Sequence, residues 1–157
     1  MNILGISPFH HSSVCLLQDG EIKYFSQEER FYREKKYAAF PFKTLIDIIQ
    51  NNHIDYVAQS SPGVDFPFTN LTKEKNISYF FELIKHFHPE ALFKNFGETD
   101  HHLTHAFHSF YNSGFKEAIG IVIDGAGSEV VDKNIRETET SYHLSYPNKS
   151  EILFKNC

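Results

Sequence analysis

The sequence predicts an α/β protein of two lobes. Two observations carry that class. Amphipathic helical stretches alternate with short apolar strands through the middle of the chain, and a series of strand, polar or glycine loop, strand, turn and strand occurs once near each end. The division that follows puts residues 1–117 in a first lobe that includes a histidine-rich helix, and residues 118–157 in the opening strand meander of an incomplete second lobe.

The elements justify themselves in order. Ile3 to Ile6 and Val14 to Leu17 read as short strands joined by the loop Pro8-Phe9-His10-His11-Ser12-Ser13, and Asp19-Gly20 closes a tight hairpin into a third strand, Glu21 to Ser26. The charge run Gln27 to Lys36 reads equally well as a solvated connection or as part of a site. Pro41 suits the first residue of a helix whose buried stripe is Phe42, Leu45, Ile46 and Ile49, ended by Asn51-Asn52. Ile54 to Ala58 reads as a strand, and Val64 to Lys75 as an irregular loop over a cleft. Ile77, Phe80, Phe81 and Ile84 mark a second helix stopped by Pro89, and Ala91 to Phe96 a further strand. After the histidine helix, capped by Asn112-Ser113-Gly114, Ala118 to Ile123 reads as a buried central strand, followed by strands at Ser141 to Tyr146 and Glu151 to Phe154.

Composition narrows the function classes. The chain has 157 residues, 41% apolar and 15% aromatic, enough for a packed core, and its net charge of −5 argues against an electrostatic nucleic-acid footprint. Cys15 and Cys157 make no disulfide framework, so a reducing cytoplasm fits best. The N-terminus lacks the basic segment of a signal peptide, and no apolar run is long enough to span a membrane.

The chemistry concentrates in Asp100 to Phe110. At helical spacing His101, His105 and His108 fall on one face, while Leu103, Ala106, Phe107 and Phe110 form the apolar face. An i, i+4 histidine pair holds two neutral imidazoles ready for one metal ion. Asp124, at the end of the strand that follows and ahead of Gly125-Ala126-Gly127, supplies the carboxylate of a two-histidine, one-aspartate triad. Iron and zinc both accept that donor set. A stand-alone metal hydrolase is the weaker use of it, because no glutamate sits inside the histidine motif to serve as general base.

A meander followed by alternating helices and strands, repeated in two lobes, resembles the plan of the actin-like and sugar-kinase ATPases, a ribonuclease H-like fold. Asn2 to Ser7, His11-Ser12-Ser13, Glu28-Glu29-Arg30-Phe31 with Arg33, Lys35 and Phe40-Pro41, then His101-His102-Leu103-Thr104-His105-Ala106 and Ile123-Asp124-Gly125-Ala126-Gly127, occur in the order and spacing of one family. They resemble the amino-terminal domain of the O-carbamoyltransferases, which include the nodulation-factor and antibiotic carbamoyltransferases. Ser12 departs from the aspartate that the family commonly has after the loop histidine.

That resemblance implies a function and a set of roles. In such enzymes a carboxy-terminal domain activates carbamoyl phosphate with ATP to carbamoyl adenylate, and the two-lobed domain passes the carbamoyl group to a hydroxyl of a sugar or antibiotic. The carried-over metal ligands are His101, His105 and Asp124, with Fe2+ favoured and Zn2+ the alternative. His11 is the carried-over proton acceptor, and Ser12, Ser13, Gly125 and Gly127 approach the phosphates of the nucleotide. The chain ends at Cys157, short of the activating domain, so it is expected to act as the amino-terminal portion of a longer or split enzyme. The alternative is a non-catalytic piece that binds metal or a partner chain, through a second chain that supplies the missing domains or through self-association. A small-molecule hydroxyl acceptor is the expected partner, with neither nucleic acid nor membrane.

Overall fold

The computed structural model describes residues 1–8, 11–37, 40–60, 82–96, 100–125, 127, 129–130 and 135–157, and divides into two compact units, Met1–Asn95 and Phe96–Cys157. Both combine helix with sheet, so the α/β class holds at that level. In the first unit, strands β1 (Asn2–Ser7), β2 (Ser13–Gln18) and β3 (Glu21–Gln27) form an antiparallel meander. Strands β4 (Tyr56–Gln59) and β5 (Leu92–Asn95) then join in parallel, giving a mixed five-stranded sheet of order β3-β2-β1-β4-β5. The turn between β2 and β3 has Asp19 at φ 52° and Gly20 at φ 86°, the paired positive values that an aspartate-glycine hairpin supplies.

Two short helices in this unit, α1 (Glu29–Tyr32) and α2 (Phe42–Asn51), precede β4, and residues 82–87 form a third, α3. The core joins Leu4, Ile6, Val14 and Leu16 of the sheet to Leu45, Ile48 and Ile49 of α2, with Ile54, Val57 and Ile84 closing it. The expected stripe of α2 needs correcting. Phe42 is 43% exposed, and the buried positions are Thr44, Leu45, Ile48 and Ile49. Pro41 stands just outside the helix as its N-cap. At the far end, the buried His88 donates from Nε2 to the Ile49 carbonyl at 2.7 Å, satisfying a last-turn acceptor that the helix leaves open. The expected loop Val64 to Lys75 and the apolar positions Ile77, Phe80 and Phe81 lie outside the described residues.

The charge run is not simply solvent-facing. Glu28 is fully buried: its Oε1 accepts from the Lys43 amide at 2.8 Å, and its Oε2 accepts from the Thr44 amide at 3.0 Å and the Thr44 hydroxyl at 2.6 Å. A carboxylate on the first free amides of α2 satisfies orphan donors and sits at the positive end of the helix dipole. The Glu28 amide in turn donates to the Ser12 carbonyl at 2.9 Å, so one residue ties the β1–β2 loop to α2.

In the second unit, helix α4 (His101–Ser113) covers one face of a three-stranded antiparallel sheet of order β10-β9-β6, formed by β6 (Glu117–Ile123), β9 (Glu139–Ser145) and β10 (Lys149–Asn156). A two-stranded ribbon, β7 (Glu129–Val130) and β8 (Ile135–Arg136), lies between them in sequence. Ala106 and Phe110 of α4 pack on Val122, Tyr142 and Leu144. At Gly120 a Cβ would come within 2.9 Å of Leu144 Cδ1, so glycine there lets helix and sheet close. This packing puts the histidine helix with residues 96–157, whereas the sequence reading grouped it with residues 1–117. Strand β6 is also an edge of its sheet rather than central, with Ile119, Ile121 and Ile123 exposed. No helix among the described residues is long and apolar enough to cross a membrane.

Candidate metal centre

Three donors converge in the second unit. His101 and His105 lie one helical turn apart in the first half of α4, and Asp124 follows the last residue of β6. The Asp124 amide continues the strand ladder by donating to the Thr138 carbonyl at 2.9 Å, which fixes where the carboxylate begins. Its two oxygens are divided in use: Oδ1 accepts from the Gly125 amide at 2.6 Å, and Oδ2 lies 3.0 Å from His101 Nε2 and 3.8 Å from His105 Nε2. The two imidazole Nε2 atoms are 3.2 Å apart.

One donor atom from each residue falls within 4.8 Å of the others. Ligands of a single ion at about 2.1 Å stand roughly 3.0–3.4 Å from one another for tetrahedral or octahedral angles, so two of the three separations already match. Among the described residues this is the one such group. The His101 side chain is 13% exposed, Asp124 33% and His105 55%, so the cluster opens to solvent on the His105 side and leaves room for further ligands. Burial and the neighbouring His101 hold the His105 pKa below the ordinary imidazole value, which favours the neutral, metal-binding form.

Beneath the triad lies a buried polar group that periodicity did not single out. His102 is fully buried on the sheet side of α4, with Nδ1 2.7 Å from the Thr140 hydroxyl and 3.9 Å from Glu137 Oε2. Glu137, itself 2% exposed, pairs with the Lys155 ammonium. Desolvation pushes the His102 pKa down, and burial with the nearby Glu137 charge pushes the Tyr142 phenol up to about 12. His102, Ala106 and Phe110 stand at i, i+4 and i+8, and that spacing was the available signal that residue 102 faces inward.

The remaining predicted residues divide. His11 lies in the first unit, exposed in the loop between β1 and β2, with φ 58° in the left-handed region that few non-glycine residues adopt. Ser12 is buried; its amide donates to the Tyr37 carbonyl at 3.4 Å, and its Oγ has no hydrogen-bond partner among the described residues. Ser13 opens β2 opposite Ser7. The glycine amides expected to meet phosphate oxygens are both engaged within the chain, Gly125 with Asp124 and Gly127 with the Glu137 carbonyl at 2.8 Å.

No protein-family model matches the chain. It is similar to the uncharacterized protein MJ1051 of Methanocaldococcus jannaschii, 34% identical over 128 residues, a match that covers 80% of this chain and 22% of that protein. It is also similar to the uncharacterized protein sll1178 of Synechocystis, 29% identical over 157 residues, covering 80% of this chain and 26% of that protein. The chain thus spans about a quarter of the length of the curated relatives it matches.

Proposed function

We propose that this chain is the metal-binding, amino-terminal portion of an O-carbamoyltransferase on the two-lobed, actin-like ATPase plan, working in the cytoplasm with further polypeptide that makes carbamoyl adenylate from ATP and carbamoyl phosphate. The observation that carries the reading is the convergence of His101, His105 and Asp124, the residues its motifs single out, on one point. The match to much longer relatives supports the view that a larger protein does the work.

In the transfer step the acceptor hydroxyl oxygen bonds to the carbamoyl carbon, the bond from that carbon to the adenylate oxygen breaks, and AMP leaves. His101, His105 and Asp124 would hold a divalent ion, Fe2+ or Zn2+, whose positive charge would offset that of the departing phosphate. Asp124 Oδ1, fixed by the Gly125 amide, keeps Oδ2 turned toward the histidines, so the donor set is preorganised. The family resemblance would make His11, exposed in its loop of the first unit, the acceptor of the hydroxyl proton. The tie from Glu28 to the Ser12 carbonyl steadies that loop.

The test mixes purified chain with ATP, carbamoyl phosphate, ferrous ion and a panel of hydroxyl acceptors, following AMP release, carbamoylated product and metal uptake. One divalent ion bound per chain, lost in His101→Ala, with no product from the chain alone, is the expected result. A chain that takes up neither iron nor zinc sinks the metal reading. Product that scales with the isolated chain and disappears in His101→Ala would show it to be catalytically complete.

A further inference from the structure

Strand β6 has β9 on one side and, among the described residues, no strand on the other. Its inward positions, Ala118, Gly120 and Val122, lie opposite Leu144, Tyr142 and Thr140, whose side chains are buried beneath α4. Its outward positions, Ile119, Ile121 and Ile123, are 59%, 71% and 76% exposed. A cavity of about 430 Å³ follows this strand, with His105, Ser109 and Ser113 of α4 among its lining residues. An edge strand this apolar, with no charge between Ala118 and Ile123, is what soluble proteins ordinarily cover or blunt.

The first sheet shows how the same chain treats an equivalent edge. There β1, β2 and β3 form an antiparallel meander just as β6, β9 and β10 do, and the side of β1 away from β2 is filled by β4 in parallel, with Ile3 opposite Tyr56 and Ile6 opposite Gln59. Strands with neighbours on both sides and cover on both faces read as continuous apolar runs, and Ala118 to Ile123 is such a run.

We propose that the open edge of β6 is a docking site for an extended strand added in parallel, carrying apolar residues at alternate positions and followed by a helix that covers Ile119, Ile121 and Ile123. Main-chain hydrogen bonds to β6 supply affinity, and the isoleucine stripe supplies selectivity for an apolar helix face. The occupant is polypeptide equivalent to the part of the two relatives outside the match, which takes up only 22% and 26% of their length. A second copy of this chain fits less well: pairing two β6 edges fills the backbone bonds but leaves both isoleucine faces bare. The inference rests on the sheet and on the length of the relatives, and stands whether or not the carbamoyl-transfer reading does.

The experiment combines the purified 157-residue chain with the remainder of the Methanocaldococcus jannaschii relative, expressed without its matched segment. Light scattering after size exclusion reads the complex, and amide hydrogen exchange reads β6. A one-to-one complex is expected, with exchange of β6 amides slowed by about a hundredfold relative to the free chain. Ile121→Lys, at an exposed position, should keep the circular dichroism and Tm of the free chain yet weaken the complex by at least about tenfold. Three results overturn the proposal: no complex, a complex without β6 protection, or β6 protection in the free chain that grows with its concentration, which would assign the edge to a second copy.

Discussion

The Nε2 atom of His102 stands 2.5 Å from the point where a side-chain carbon on Gly127 would begin. His102 is held from its other nitrogen by Thr140, so it has little freedom to yield. Gly127→Ala should therefore destabilise the protein by about 1–3 kcal/mol, the usual cost of forced overpacking. Gly125→Ala, where no atom lies within 4 Å of the new carbon, should cost far less. Chemical denaturation of the two variants side by side checks the contrast, and equal losses would count against a sealed His102.

Removing a metal ligand should act on affinity more than on fold. His101→Ala, His105→Ala and Asp124→Asn are each expected to weaken Zn2+ or Fe2+ binding by on the order of a hundredfold or more, since even groups that only orient a ligand matter by 10–100-fold. His108→Ala, exposed on the same helix and outside the cluster, should leave affinity unchanged. Competition against a chelating dye measures all four. A His108 effect as large as that of His105 would place the ion elsewhere.

Tyr142 makes stability fall in alkali. Its phenol is raised from the ordinary value of 10 to about 12 in the folded chain, so between those values the unfolded state has lost a proton that the native state keeps. Stability from this residue is complete below pH 10 and declines as pH rises toward 12. Tyr142→Phe should flatten that part of the curve. Ultraviolet titration should show a tyrosine that ionises late, in step with unfolding, and is missing in Tyr142→Phe.

Capping by Glu28 predicts a large loss at a residue set among charges. Glu28→Ala removes the acceptor of two amides and one buried hydroxyl, for an expected cost of roughly 2–4 kcal/mol. Replacing the exposed Arg30 with Ala should shift the midpoint by less than about 0.5 kcal/mol. Thermal melts decide between them, and similar Tm values would deny Glu28 its structural part.

His11→Asn is the mildest probe of proton transfer, because asparagine tolerates the positive φ of 58° that residue 11 adopts. It should leave the melting curve unchanged. In a complete carbamoyl-transferring assembly it should lower turnover by about 10²–10⁴-fold while sparing ATP binding. Parallel loss of both would reduce His11 to a structural residue.

Much of this was legible in the sequence, and the limits have physical causes. The strands, the aspartate-glycine hairpin and the donors His101, His105 and Asp124 follow from period, turn chemistry and ligand spacing, which are local. The burial of Glu28 and the hydrogen-bond partner of His102 were missed because both are decided at long range, although the row His102, Ala106 and Phe110 turns residue 102 inward. Nothing near residue 102 announces that Thr140, 38 positions away, will accept or donate to its ring, and nothing within Gln27 to Lys36 shows that Thr44 needs a carboxylate. The wrong end of the α2 stripe has a similar origin: Phe42 fits the helical period, but Glu28 takes the space at the helix start and Thr44 turns in to meet it. Reading β6 as central followed from composition alone, which cannot report whether a neighbouring strand is present.

The buried carboxylate also bears on any attempt to re-engineer the surface. Gln27 to Lys36, eight of its ten residues polar or charged, looks like the kind of run that solubility redesign or lysine-depletion for crystallisation rewrites wholesale. The exposed Arg30, Glu34 and Lys35 can be treated so with modest risk. Glu28 cannot, because its carboxylate closes the start of α2, and a library that randomises the whole run will return destabilised protein for reasons no hydropathy plot would suggest.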